Sequence, residues 1–143
     1  MSRRDALTQA YTAARYTVLV RGRRHAATIG RSCPSLDAAL RRCGCRSHWC
    51  LLTPCNPHSR RLATQSNAQR LHLLQQLVRR HGWRALPARN ASPDGRWIEP
   101  GLCLLDAPPR QVERLARRFG QLAWVFGRLG AAPRLLWTND PRS

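Results

Sequence analysis

The sequence predicts an α+β fold in a single domain over residues 1–143, and three observations carry that expectation. The chain has the length of one ordinary domain with a real core, and 43% of it is apolar. Segments with the 3.6-residue apolar period of helices alternate with short β-prone runs. No repeat, low-complexity tract or long linker divides them.

The first segment, MSRRDALTQAYTAARY, reads as a helix. It lacks the apolar stretch of a secretory signal, and no apolar run approaches the roughly 20 residues of a membrane span, so a cytoplasmic chain with no membrane partner is expected. Tyr16 to Val20 and His25 to Ile29 flank Arg21-Gly22-Arg23-Arg24 and read as a β-hairpin. A helix follows, with Ser35 as its cap, Leu36, Ala39 and Leu40 on its apolar face and Gly44 at its end. Trp49 to Thr53 is continuously apolar, as a strand covered on both faces would be, and Pro54 ends it.

The spacing of Ala68, Leu71, Leu74, Leu77 and Val78 predicts a helix over 64–81, capped by Thr64 or Ser66 and closed by Gly82. Trp83 to Leu86 reads as a strand, Asn90 to Gly95 as a turn, and Ile98 to Asp106 as a strand interrupted early by Pro100-Gly101. Pro108-Pro109 open a helix through Phe119, with Val112, Leu115, Ala116 and Phe119 on one face and Gly120 behind it. Leu122 to Phe126 and Leu135 to Trp137 are the last strands. From Trp49 the order strand, helix, strand, strand, helix, strand is the split βαβ pattern of ferredoxin-like folds. The expected architecture is a mixed sheet with that core, its helices on one side, preceded by an N-terminal helix and hairpin.

Net charge is +18, carried by 25 basic residues that are all arginine. Phosphate binding would draw on lysine too, so its total absence points to coding bias. The arginines are nevertheless uneven, because no acid falls between Asp37 and Asp94. Arg60, Arg61, Arg79, Arg80 and Arg84 lie in that interval and are the candidate nucleic-acid contacts, with Trp49, Trp83 or Trp97 available for stacking if exposed.

Six cysteines stand at 33, 43, 45, 50, 55 and 103. Cys43, Cys45, Cys50 and Cys55 have x1, x4 and x4 spacings that suit zinc knuckles poorly, and Cys50 and Cys55 sit in or beside an apolar strand. Buried thiols are expected, with no metal, cofactor or disulfide.

The stretch LLTPCNPHS holds Asn56 between two prolines at a strand end, where functional groups gather. The turn is stiff, and the Asn56 amide either faces a ligand or caps its own loop. Here the residues carry a resemblance. Ala10-Tyr11 through Arg15-Tyr16, LLTPCNPHS with Asn67 beyond it, Trp97-Ile98-Glu99-Pro100, and Phe119-Gly120-Gln121 before Ala123-Trp124-Val125 resemble the bacterial domain-of-unknown-function family 3293 over residues 10–137. The chain departs from that family's pattern at Pro54, Cys55, Gly101 and Leu122. The resemblance implies fold membership and no activity.

The matched polar positions, Thr53, Asn56, Ser59, Asn67, Glu99 and Gln121, are the candidate ligand-binding set. Glu99 is one of two glutamates in a very basic chain, so it either pairs with arginine, the reading preferred here, or faces a ligand. No catalytic residue is assigned: there is no nucleophile elbow, P-loop, H-E-x-x-H or dinucleotide fingerprint. The expected function is a non-catalytic module binding a small ligand or protein partner. A nucleic-acid binder using the arginine surface and a hydrolase-type enzyme are the alternatives.

Overall fold

The computed structural model of the protein describes residues 2–138. Helix α1 (Arg3–Ala13) starts in a capping box, the Ser2 hydroxyl accepting from the Asp5 N–H at 3.1 Å while the Asp5 carboxylate accepts from the Ser2 N–H at 3.3 Å. The expected hairpin follows as β1 (Arg15–Val20) and β2 (Arg23–Ala27), turning through Arg21 and Gly22 at positive φ. Then come α2 (Pro34–Arg42), β3 (His48–Leu52), a 3₁₀ turn over Pro57–Ser59, α3 (Thr64–His81), β4 (Arg84–Ala91), β5 (Ile98–Leu105), α4 (Pro109–Arg118), β6 (Ala123–Arg128) and β7 (Arg134–Trp137).

The seven strands form one sheet in the order β2-β1-β4-β5-β3-β6-β7, and every neighbouring pair is antiparallel. This corrects the expected mixed sheet. β3 and β4 both oppose β5 and so run the same way, but β5 lies between them; β3 separates β5 from β6 in the same manner. The crossovers through α3 and α4 each return the chain one strand beyond its neighbour, the α2 crossover from β2 to β3 passes over three strands, and no parallel pair is left in contact.

The helices cover both faces, not one. α3 and α4 bury Leu74, Val78, Val112, Leu115 and Ala116 against Cys50, Leu52, Leu102 and Leu104. α2 buries Leu36, Ala39 and Leu40 on the opposite face, against Val18, Val20, Leu51, Cys103 and Leu105. The cause is in β3 and β5, which are apolar at successive positions and leave neither face fit for water. α1 lies on the α2 face, over the open end of the sheet, and buries no residue fully.

Several local expectations are revised. Ser35 does not cap α2: Cys33 holds that position, and the Ser35 hydroxyl shares a 2.9 Å hydrogen bond with His25 Nδ1. α3 follows Ala63 with no side-chain cap, so neither Thr64 nor Ser66 serves, while Gly82 closes it at φ 72° as expected. β4 continues through Pro87 to Ala91, and the turn begins only at Ser92, whose N–H bonds the Trp97 carbonyl at 2.8 Å. The prolines are tolerated because β1 pairs β4 only from Ala88 onward and β3 pairs β5 only from Leu102 onward. Pro87 and Pro100 thus stand where one side of their strand has no ladder to break. Among the described residues no helix is long and apolar enough to cross a membrane.

Candidate functional site

The site is built where β3 runs out. After Leu52 the Thr53 hydroxyl donates to the Pro100 carbonyl at 2.8 Å and accepts from the Cys55 N–H at 3.2 Å, which holds the chain against β5. Gly101 makes that approach possible, since a Cβ there would run into the Leu52 carbonyl oxygen. The next residues fold back sharply, with Asn56, His58 and Ser59 all at positive φ (50°, 56° and 60°). A non-glycine residue in the left-handed region is strained, and three in four residues persist only because surrounding bonds over-determine them.

Those bonds centre on Asn56, which is 6% exposed. Its Oδ1 accepts from the Leu62 N–H and from Asn67 Nδ2, both at 2.8 Å, and its Nδ2 donates to Glu99 Oε2 at 2.8 Å. Its own N–H donates to Asn67 Oδ1 at 3.0 Å. Of the two roles open to Asn56, the amide is spent on its own loop and on Glu99. Gln121 does a parallel task, donating to the Cys55 carbonyl at 2.8 Å. Arg70 on α3 donates to the Pro54 carbonyl at 2.6 Å and to that of Phe119, clamping the loop to the end of α4.

Beside this loop, between α1 and the sheet, lies a cavity of about 320 Å³. Thr53, Asn56, Ser59, Glu99 and Gln121 all line it; Asn67 does not, and reaches it only through Asn56. Leu51, Ala88, Val125 and Leu135 give the cavity an apolar body, and Leu7, Ala10, Tyr11 and Ala14 roof it from α1. Tyr11 and Ser59 share a 2.8 Å hydrogen bond that ties the roof to the loop.

Strand register sets the polar wall. Tyr16 lies opposite Asn90, and Asn90 opposite Glu99, so one row crosses β1, β4 and β5 on the cavity face. The Tyr16 hydroxyl donates to the Tyr11 carbonyl at 2.5 Å. Burial, then the neighbouring Tyr11 and Glu99, push the Tyr16 hydroxyl well above its ordinary range, so it stays a donor. Burial likewise pushes the Glu99 carboxyl up, while the side chains of Asn56, Trp97 and Asn90 act in the other direction as hydrogen-bond donors. Among the described residues no arginine pairs with Glu99, which corrects the preferred reading of an arginine partner. Arg61 donates to the Arg96 carbonyl and stacks on Trp97 at 4.6 Å.

The arginine set does not converge. Arg60 and Arg61 precede α3 while Arg79 and Arg80 occupy its last turn, roughly 20 Å away at 1.5 Å of rise per residue. Arg84 is committed to the carbonyls of Cys43 and Gly44 at the end of α2. The aromatic partners fare no better: Trp49 is 1% exposed with its ring against Gly127, Trp83 stacks on His81 at 4.1 Å, and Trp97 carries Arg61.

The cysteines are core residues as expected, five of the six buried and Cys43 half-buried. Burial pushes the Cys50 thiol up to about 12 and the Cys45 thiol up to about 11. Cys55, beside the cavity loop, donates to the Pro100 carbonyl at 3.5 Å, and burial raises its pKa, which disfavours the thiolate a nucleophile needs.

Reasoning from polar residues alone missed Tyr11, Tyr16, Asn90, Trp97 and Arg70. Tyr11, Tyr16 and Trp97 already stood in the segments that carried the family resemblance. Asn90 was readable only through strand register, and Arg70 was one helical arginine among many.

The fold and site define a small α+β domain with a polar-ended cavity between its first helix and its sheet. Residues 52–124, about half of the chain, match the family described as Protein of unknown function (DUF3293), and the chain belongs to that family. The match contains Thr53, Asn56, Ser59, Asn67, Glu99 and Gln121, whereas Tyr11 and Tyr16 lie outside it. No curated protein and no solved structure matches the chain.

Proposed function

We propose that the protein is a small-molecule-binding module, non-catalytic, whose ligand occupies the cavity under α1. One observation carries the reading: five of the six polar positions that the family resemblance singled out line one cavity of about 320 Å³ with an otherwise apolar body. That volume and that lining, mostly apolar with a few converging polar groups, suit a small organic ligand. Binding is favoured over catalysis because Asn56 and Gln121 are spent on structure and Cys55 is held as a thiol. We also infer that β3 to β6 with α3 and α4 form a ferredoxin-like split βαβ core. The order β4-β5-β3-β6, with both helices on one face, supports it.

The test uses N-phenyl-1-naphthylamine, a neutral apolar dye, read by energy transfer from Trp97 and Trp124 in the cavity wall. Saturable one-to-one binding is expected, and Ala14→Phe, which fills the cavity from the end of α1, should abolish it with stability unchanged. Dye uptake that does not saturate, or that survives Ala14→Phe, would refute the cavity as a binding site.

A further inference from the structure

The cavity wall holds an acid whose charge no arginine among the described residues offsets. Glu99 is 8% exposed, yet among the described residues no arginine of this very basic chain pairs with it. Its hydrogen bond from Asn56 supplies a dipole and no counter-charge. A carboxylate withdrawn from water is costly unless a cation or a proton offsets it. The raised pKa of Glu99 reports that same deficit. The surroundings suit a cation as well, since Tyr11 and Tyr16 present aromatic surface around the same cavity.

We propose that the ligand is an organic cation: an amine head group seated against the Glu99 carboxylate, with an apolar tail lying along Leu51, Val125 and Leu135. This rests on the binding reading above and names the chemistry of its ligand. The head group supplies N–H donors to an acceptor, and its charge replaces the missing arginine. Asn56, held by Asn67 and Leu62, fixes the position of the carboxylate before the ligand arrives, so little ordering remains to oppose binding. Arg89 also lines the cavity and is exposed; it is the group an anionic ligand would choose instead.

Three probes of one tail length separate these chemistries: hexylamine, hexanol and hexanoate, each titrated at pH 7 against protein loaded with the naphthylamine dye. The expected order is amine first, alcohol about tenfold weaker, the worth of one charge-assisted hydrogen bond, and carboxylate weakest. Glu99→Gln should bring the amine down to the level of the alcohol and leave the alcohol unchanged. Equal binding of amine and alcohol would overturn the proposal while leaving the cavity a binding site. Tightest binding by hexanoate would overturn it in favour of Arg89. A dye that binds and is displaced by none of the three also overturns it. Failure of the dye itself to bind sinks the cavity reading and the cation with it. The wild-type series decides the matter alone if Glu99→Gln does not fold.

Discussion

Replacing Asn56 with alanine removes three side-chain hydrogen bonds at once, those to Glu99, Leu62 and Asn67, each at 2.8 Å. Two are bonds between neutral groups, worth about 0.5–1.5 kcal/mol each, and the third meets a carboxylate, worth about 1.5–3 kcal/mol. Alanine also tolerates φ 50° less well than asparagine, at a cost of about 1 kcal/mol. The sum is a loss of about 3.5–7 kcal/mol, a large part of the roughly 5–15 kcal/mol that a domain has. Urea unfolding followed by tryptophan fluorescence should show the midpoint falling with the slope unchanged. Asn67→Ala should cost about 1–3 kcal/mol, and the double variant should cost less than the sum of the two, because both act on one network. A loss below about 1 kcal/mol for Asn56→Ala would refute the reasoning. The amide would then be free to serve a ligand and its three bonds would be incidental. The cost should also grow with pH, since an ionised Glu99 misses its donor more than a protonated one does.

Two further outcomes follow from the same geometry. Because the folded pKa of Glu99 is raised, its contribution to stability is complete below its unfolded value, about 4.3, and is lost as pH rises through the folded value. The unfolding free energy of the wild type should therefore fall relative to Glu99→Gln as pH rises above about 4.3; a flat or rising difference would show that Glu99 is not held against its ionised form. Gly101→Ser should cost about 1–3 kcal/mol by urea unfolding, since its Cβ meets the Leu52 carbonyl on the neighbouring strand. A serine variant as stable as the wild type would mean that the end of β3 can move away from β5 without loss.

Much of the fold was legible because it is written in local patterns. The α3 boundaries follow from the spacing of Leu71, Leu74, Leu77 and Val78 and from Gly82, which only has to end a helix. The hairpin at Gly22 and the helix after Pro108 were equally readable. What failed depends on neighbours. Ser35 is a good cap in isolation but found His25 across a turn. Pro87 and Pro100 look like strand breakers until the pairing shows which side of each strand is unpaired. The candidate site divides in the same way: residue type and family resemblance located Thr53, Asn56, Ser59, Glu99 and Gln121, yet gave no means of telling a residue that faces the cavity from one that holds the loop.

The sequence by itself determined the α+β class and the buried thiols, and its resemblance to a family singled out polar positions, five of which line the cavity. The first two rest on periodicity and on residue chemistry, which act within a few residues. Only the tertiary structure decided that the sheet is wholly antiparallel, that helices cover both its faces, and that Glu99 has no arginine partner among the described residues of a chain with 25 basic residues. Which strand lies beside which is settled by the burial of whole faces, and the partner of a charge is whatever the fold brings within about 4 Å, not what is common along the chain.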